Sequence, residues 1–113
     1  MTIPPTETLS LPRAKKEWRG VPIAEIQLAP VGSYWVWATA FQMHGGDFHG
    51  SASPLGDYPG SRAPDRDAAI GAAIAHLRAR LEPKRDDYPD ARAVLAWLDS
   101  LNPAQADLFG AAA

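Results

Sequence analysis

A twelve-residue run from Ser33 to His44 limits most strongly what this chain can fold into. It is rich in aromatic and β-branched residues, the types enriched in strands, and it predicts the longest strand of the protein. Residues 24–28 alternate apolar and polar before it, and residues 48–53 follow a glycine-containing loop after it. Residues 29–32 have turn-forming composition and residues 44–47 form a hairpin loop, so the three segments predict a three-stranded antiparallel meander.

The second half of the chain changes to helical periodicity. Asp65 is suited to cap a helix that runs to about Glu82, where Pro83 ends it. A second helix is expected from about Pro89 to Leu101, because proline is favoured in a first turn. Both helices carry apolar residues at spacings of three and four, which predicts one buried face on each. The predicted fold class is therefore α+β, with the meander packed on two C-terminal helices.

Strand alternation gives the central strand one face of large side chains. This face comprises Trp35, Trp37, Thr39, Phe41 and Met43. Aromatic residues on a small sheet can stack single-stranded bases, but large side chains more often fill a core. The interpretation favoured here is that this face is the core beneath the helices.

The chain of 113 residues is long enough for one modest core, and its composition is 46% hydrophobic with four Trp. We expect one domain over residues 21–101. Pro4, Pro5 and Pro12 predict an extended or disordered arm, so residues 1–20 are assigned to a flexible, partly basic arm. Residues 54–64 read as a loop, and residues 102–113 as a C-terminal peptide tail. A narrow sheet leaves edges that could pair, so the oligomeric state stays open.

Composition excludes several classes of function. The chain has no Cys, which removes disulfides, thiolate metal sites and a cysteine nucleophile. A net charge of −2 gives no global attraction to nucleic acid or to anionic lipid. No apolar run is long enough to span a bilayer, and the N-terminus lacks the pattern of a signal peptide. These features predict a cytoplasmic bacterial protein without a membrane partner or a cofactor.

The tail carries the most specific motif, Gln105-Ala106-Asp107-Leu108-Phe109. It resembles the short peptide by which bacterial polymerases and repair factors bind the β sliding clamp. Leu108 and Phe109 are adjacent apolar anchors for a hydrophobic pocket, and the Gln105 amide can donate and accept hydrogen bonds. The resemblance implies that Gln105, Asp107, Leu108 and Phe109 are partner-binding residues. Ala106 departs from the Leu frequent in that motif, which should weaken the affinity.

A second interpretation of the tail involves no partner. Asn102 can cap a short helix, Pro103 fits its first position, and Gly110 fits just beyond its end. Such a helix could fold Leu108 and Phe109 back onto the domain. The overall layout also resembles small accessory proteins of bacterial mobile elements. Together these features favour a non-enzymatic accessory or adaptor protein.

A nucleic-acid-binding module is the first alternative. A basic stretch of four residues precedes the meander: Arg13, Lys15, Lys16 and Arg19. These side chains could contact phosphates while the sheet aromatics stack on bases. A solvated lead-in to the first strand explains the same charges.

A metal-dependent enzyme is the third and weakest alternative. His44 and His49 flank a hairpin loop that contains Asp47, and imidazole and carboxylate both suit zinc. His76, the third histidine, is predicted mid-helix, so nothing completes the ligand set. No nucleophile motif accompanies these residues, and the chain is predicted to hold neither a metal nor a catalytic centre.

Overall fold

The computed structural model describes residues 2–12, 23–45 and 47–101. Its elements follow the order β1 (Glu7–Leu11), β2 (Ala24–Val31), β3 (Tyr34–Gly45), β4 (Asp47–Ala52), β5 (Arg62–Ala63), α1 (Arg66–Leu81) and α2 (Pro89–Leu101). All strand pairings are antiparallel, and both helices cover one face of the sheet. The predicted α+β class is confirmed, although the sheet has two more strands than the expected three.

The turn of the β2–β3 hairpin lies later in the chain than the sequence predicts. Residues 29–32 were expected to form the turn, but β2 continues through Pro30 to Val31. The amide nitrogen of Pro30 faces away from β3, since its alternate neighbour Leu28 accepts from Thr6 on the β1 side. The proline therefore removes no hydrogen bond from the hairpin. Gly32, with φ of 60°, begins the two-residue turn, an arrangement that matches a type II′ hairpin.

Part of the flexible arm predicted for residues 1–20 is wrong, because residues 7–11 form the edge strand β1. Five residues of this segment pair with β2, from Glu7 opposite Leu28 to Leu11 opposite Ala24. Its half-buried positions alternate with exposed ones, as in a strand at the edge of a sheet. The three prolines that suggested an arm flank this strand rather than interrupt it. Residues 13–20, the basic part of the predicted arm, lie outside the described residues.

Strand β3 is central and has two partners on one of its edges. Its other edge pairs with β2 from Tyr34 to Phe41. On the first edge, β4 pairs with residues 40–45 and β5 pairs only with residues 35 and 36. Residues 37–39 lie between the two pairings. The Ser53 amide donates a hydrogen bond to the Thr39 carbonyl at 3.2 Å, and beyond Ser53 the chain leaves the sheet. This interruption is called the notch below.

The helices begin and end close to their predicted bounds. The Asp65 carboxylate accepts a hydrogen bond from the Ala68 amide at 2.8 Å, which confirms the predicted N-cap of α1. A short 3₁₀ turn with Pro83 follows α1, and α2 begins at Pro89. Neither described helix is long and apolar enough to cross a membrane.

Each face of the sheet has its own apolar cluster. The larger cluster joins β2 and β3 to the helices through residues such as Ile26, Leu28, Met43, Leu77 and Leu98, all fully buried. The smaller cluster, on the opposite face, contains Ala29, Val36, Ala38 and Leu55. The segments that precede β1 and follow β4 cover it. They are joined by the Ile3 amide, which donates to the Leu55 carbonyl at 2.7 Å.

Candidate functional site

The residues with the strongest sequence motifs lie outside the described part of the chain. These are the four tail residues, Gln105, Asp107, Leu108 and Phe109, and the four basic residues, Arg13, Lys15, Lys16 and Arg19. The clamp-binding and phosphate-binding assignments therefore stay predictions. Helix α2 ends at Leu101, four residues before Gln105.

The histidine hairpin is described only in its backbone. Its register pairs His44 with Phe48 and Met43 with His49. The side chains of His44, Asp47 and His49 lie outside what the structure describes. Among the side chains that it does describe, no three His, Cys, Asp or Glu residues come close enough to hold a metal ion.

The large aromatic face of β3 lies beneath the helices, as predicted. Phe41 is 3% exposed within the larger cluster, and Trp35 and Trp37 are half-buried against it. The same cluster contains Ile70, Ile74, Leu77 and Leu95 from the helices. Because the helices cover this face, its rings do not form the continuous open surface on which successive single-stranded bases would stack.

The notch holds a cavity of about 380 Å³ that sequence reasoning did not identify. Three parts of the chain form it: β3, helix α1 and the loop between β4 and β5. Its lining residues are Trp37, Thr39, Ser53, Pro54, Tyr58, Gly60, Ser61 and His76. This volume is within the range of small-molecule sites.

Two rings form the inner wall of the cavity. The Trp37 and His76 ring centroids are 5.4 Å apart, and the ring planes are tilted by 57°. Burial lowers the pKa of His76, and the positive charge of Arg80 lowers it further. Because the ordinary value is 6.5, the imidazole is neutral at pH 7, with one donor nitrogen and one acceptor nitrogen.

Thr39 contributes a buried hydroxyl to the same wall. Its residue is 7% exposed, and it is the polar residue buried most deeply in the described chain. Within the described residues, no other group forms a hydrogen bond with this hydroxyl. Ser61 differs, because its hydroxyl donates within the loop to the Tyr58 carbonyl at 3.1 Å. A buried hydroxyl without a partner costs free energy, because it has lost hydrogen bonds to water. A ligand that forms a hydrogen bond with this hydroxyl would recover part of that free energy.

A polar cluster at the surface fixes the loop beside the cavity. The Tyr34 hydroxyl donates to Asp57 Oδ2 at 2.6 Å, and Arg62 Nε donates to Asp57 Oδ1 at 2.8 Å. The Arg62 guanidinium also lies 5.0 Å from the centre of the Tyr34 ring. The hydrogen bond from Tyr34, followed by that from Arg62, lowers the pKa of the Asp57 carboxyl. The same Tyr34–Asp57 bond raises the pKa of Tyr34.

A weak sequence signal for this cavity did exist. Tyr58 stands alone among prolines and glycines in a predicted loop, and it is 46% exposed. An aromatic residue in such a loop often belongs to a binding surface. The positions of Thr39 and His76 gave no comparable signal, because each reads as an ordinary member of its strand or helix.

No known protein family, no curated protein and no solved structure matches this chain.

Proposed function

We propose that this protein is a non-enzymatic adaptor that binds the bacterial β sliding clamp through residues 105–109. The observation that carries the proposal is the Gln-x-x-Leu-Phe pattern of this peptide. Leu108 and Phe109 are the anchors, Gln105 supplies the polar contacts and Asp107 occupies a position that the motif often fills with Asp or Ser. The proposed setting is an accessory protein of a bacterial mobile element acting in the cytoplasm.

The free energies are consistent with a linear motif of moderate affinity. Burying each apolar anchor contributes about 1.5–3 kcal/mol. The loss of translational freedom and the ordering of the peptide oppose that gain. The two anchors alone therefore do not reach the about −8 kcal/mol of micromolar binding, and the Gln105 amide and the peptide backbone must contribute the remainder.

The described fold supports the adaptor over the nucleic-acid-binding alternative. That alternative needs an open aromatic sheet face beside basic residues. The helices cover this face, and Trp35 and Trp37 are half-buried against the core. The remaining support for nucleic-acid binding is the basic stretch at residues 13–19, which lies outside the described residues.

Calorimetry with purified clamp tests the proposal directly. The full chain should bind with micromolar affinity, and Leu108→Ala combined with Phe109→Ala should abolish binding, because both anchors leave the pocket together. Gln105→Ala should weaken binding without abolishing it. A matched control is Leu101→Ala, which shortens an apolar side chain just before the tail and should leave the affinity unchanged.

A denaturant melt of the same double variant separates clamp binding from self-packing. For an adaptor, the free energy of unfolding should change by less than about 0.5 kcal/mol, since no core residue is altered. A tail packed on the domain predicts a loss of about 2–5 kcal/mol. No heat of binding at high micromolar clamp, together with a destabilised double variant, would contradict the adaptor function.

A further inference from the structure

We propose that the notch between β4 and β5 is a binding site for a small, uncharged, planar molecule with a hydrogen-bonding group on its edge. This site is separate from the tail and adds a ligand-binding activity to the proposed adaptor function. Three properties of the cavity lead to this ligand class: its aromatic walls, its lack of charge and its unpartnered hydroxyl.

The aromatic walls favour a flat ligand. Trp37 and His76 contribute rings from β3 and α1, and Tyr58 contributes one from the loop. Tyr58 is 46% exposed although its residue type is usually more buried, so its ring is accessible at the rim. Rings from three separate elements therefore offer aromatic surface to a planar molecule.

The charge of the lining favours a neutral ligand. Apart from His76, no acidic or basic side chain is among the described residues that line the cavity. The two nearby guanidinium groups are already engaged. Arg62 is paired with Asp57, and Arg80 lies 5.8 Å from the centre of the Phe41 ring. Neither guanidinium lines the cavity, so an ionised ligand would lose hydration without a direct ion pair, which is unfavourable.

The Thr39 hydroxyl is the reason to expect a hydrogen-bonding group on the edge of the ligand. Thr39 as a residue is more than nine-tenths buried, and its hydroxyl forms no hydrogen bond with the rest of the described chain. A ligand carbonyl or amide at this position would satisfy it and replace the water that it loses on folding. The neutral His76 imidazole offers a second donor or acceptor in the lining of the cavity.

Isosteric aromatic probes that differ in charge test the proposal. The probes are benzamide, nicotinamide and indole-3-carboxamide, each compared with its carboxylate: benzoate, nicotinate and indole-3-carboxylate. Each is titrated to 10 mM against the full chain while NMR follows the side-chain signals of Trp37 and His76. At least one amide should give saturable shifts of both signals, and its carboxylate should bind at least tenfold more weakly.

Substitutions then locate the site. Thr39→Val keeps the side-chain shape, removes the hydroxyl and should weaken amide binding about fivefold or more, as expected for one lost hydrogen bond. Thr8→Val makes the same chemical change on exposed β1 and should have no effect. Tyr58→Ala, which alters an exposed residue and leaves the core intact, should weaken binding about two- to tenfold.

Three outcomes would overturn the proposal. The first is that no amide gives saturable shifts, and the second is that the carboxylates bind as tightly as the amides. The third is unchanged affinity in both Thr39→Val and Tyr58→Ala. The tail variant Leu108→Ala with Phe109→Ala should bind the amides as the parent chain does. If the tail variant binds the amides and the parent chain does not, the tail of the parent chain occupies the cavity. Both proposals, the ligand site and the free clamp-binding peptide, would then be wrong.

Discussion

The two faces of the sheet are closed in different ways. On one face, α1 and α2 cover a large cluster in which Leu28, Leu77 and Leu98 are fully buried. On the other face, two irregular segments cover a small cluster built around Val36 and Leu55. The first face is covered by helices, and the second by loops that meet at the Ile3–Leu55 backbone hydrogen bond and at an isolated bridge between Thr2 and Gly56.

This difference shows how a narrow sheet can bury both faces with only two helices. Small side chains at Ala29 and Ala38 keep the second face shallow, so an extended backbone can approach it closely. The loop that crosses there from Ser53 to Ser61 also borders the notch cavity on the sheet edge. The same segment therefore covers the second face of the sheet and forms part of the cavity.

Truncation of the helix-covered core should have the largest effect. Leu77 is fully buried between the helices and the sheet, where rigid neighbours cannot collapse into a cavity. Leu77→Ala should lower the free energy of unfolding by about 3–5 kcal/mol in a denaturant melt. Leu77→Met, which conserves the volume, should cost less than about 1.5 kcal/mol.

The same truncation on the loop-covered face should cost less. Leu55 is 1% exposed, but the segments around it can relax toward the space left by its side chain. Leu55→Ala should cost about 2–3 kcal/mol, at the lower end of the range for such changes. An equal or larger loss than for Leu77→Ala would show that the loop-covered face is as rigid as the helical one.

Loss of the α1 cap should have an intermediate effect. Asp65→Ala removes the acceptor of the Ala68 amide and should cost about 1 kcal/mol by thermal or chemical denaturation. Asp65→Asn keeps a side-chain acceptor and should retain most of the stability. If both variants lose the same amount, the carboxylate charge matters more than the cap.

The ion pair between the edge strand and α1 should have the smallest effect and a defined pH dependence. Arg66 donates to both carboxylate oxygens of Glu7, at 2.7 and 2.5 Å, and this hydrogen bonding lowers the pKa of Glu7 below 4.5. A carboxyl whose pKa is lower in the folded state stabilises the fold above its unfolded value. The contribution is then lost as the pH falls through the folded pKa.

Glu7→Gln should therefore make stability less dependent on pH below about 4.5 and should cost less than about 1 kcal/mol at pH 7. Urea melts from pH 2 to pH 7 measure this difference. Arg66→Gln should flatten the profile similarly, and the double variant should add little, because each single change already breaks the pair. Additive effects of the two substitutions would contradict a direct pairing.

Local patterns were sufficient for much of the fold. Helical spacing and the Asp65 cap predicted α1 nearly to the residue, and Pro89 marked the start of α2. Strand alternation also placed Trp37 and Phe41 on the helix-covered face. These features depend on residues close in the sequence, where propensity, capping and side-chain period act together.

Two predictions were wrong because proline was taken to end or prevent a strand. Pro30 lies inside β2, and the N-terminal prolines border β1 instead of preventing it. Whether a proline interrupts a sheet depends on which edge its nitrogen faces. That edge is set by the pairing of whole strands and not by the neighbouring residues.

The sequence by itself therefore determined the α+β class, the two helices and the aromatic core face, and it alone carries the motif of residues 105–109 on which the proposed function rests. The tertiary structure decided the five-stranded sheet, the covering of its second face and the cavity in the notch. Each of these depends on contacts between distant residues: Trp35 pairs with Ala63, Ile3 bonds to Leu55, and Trp37 meets His76. Such contacts follow from how the complete chain packs, because the loss of chain entropy that they require is offset only when the whole core forms.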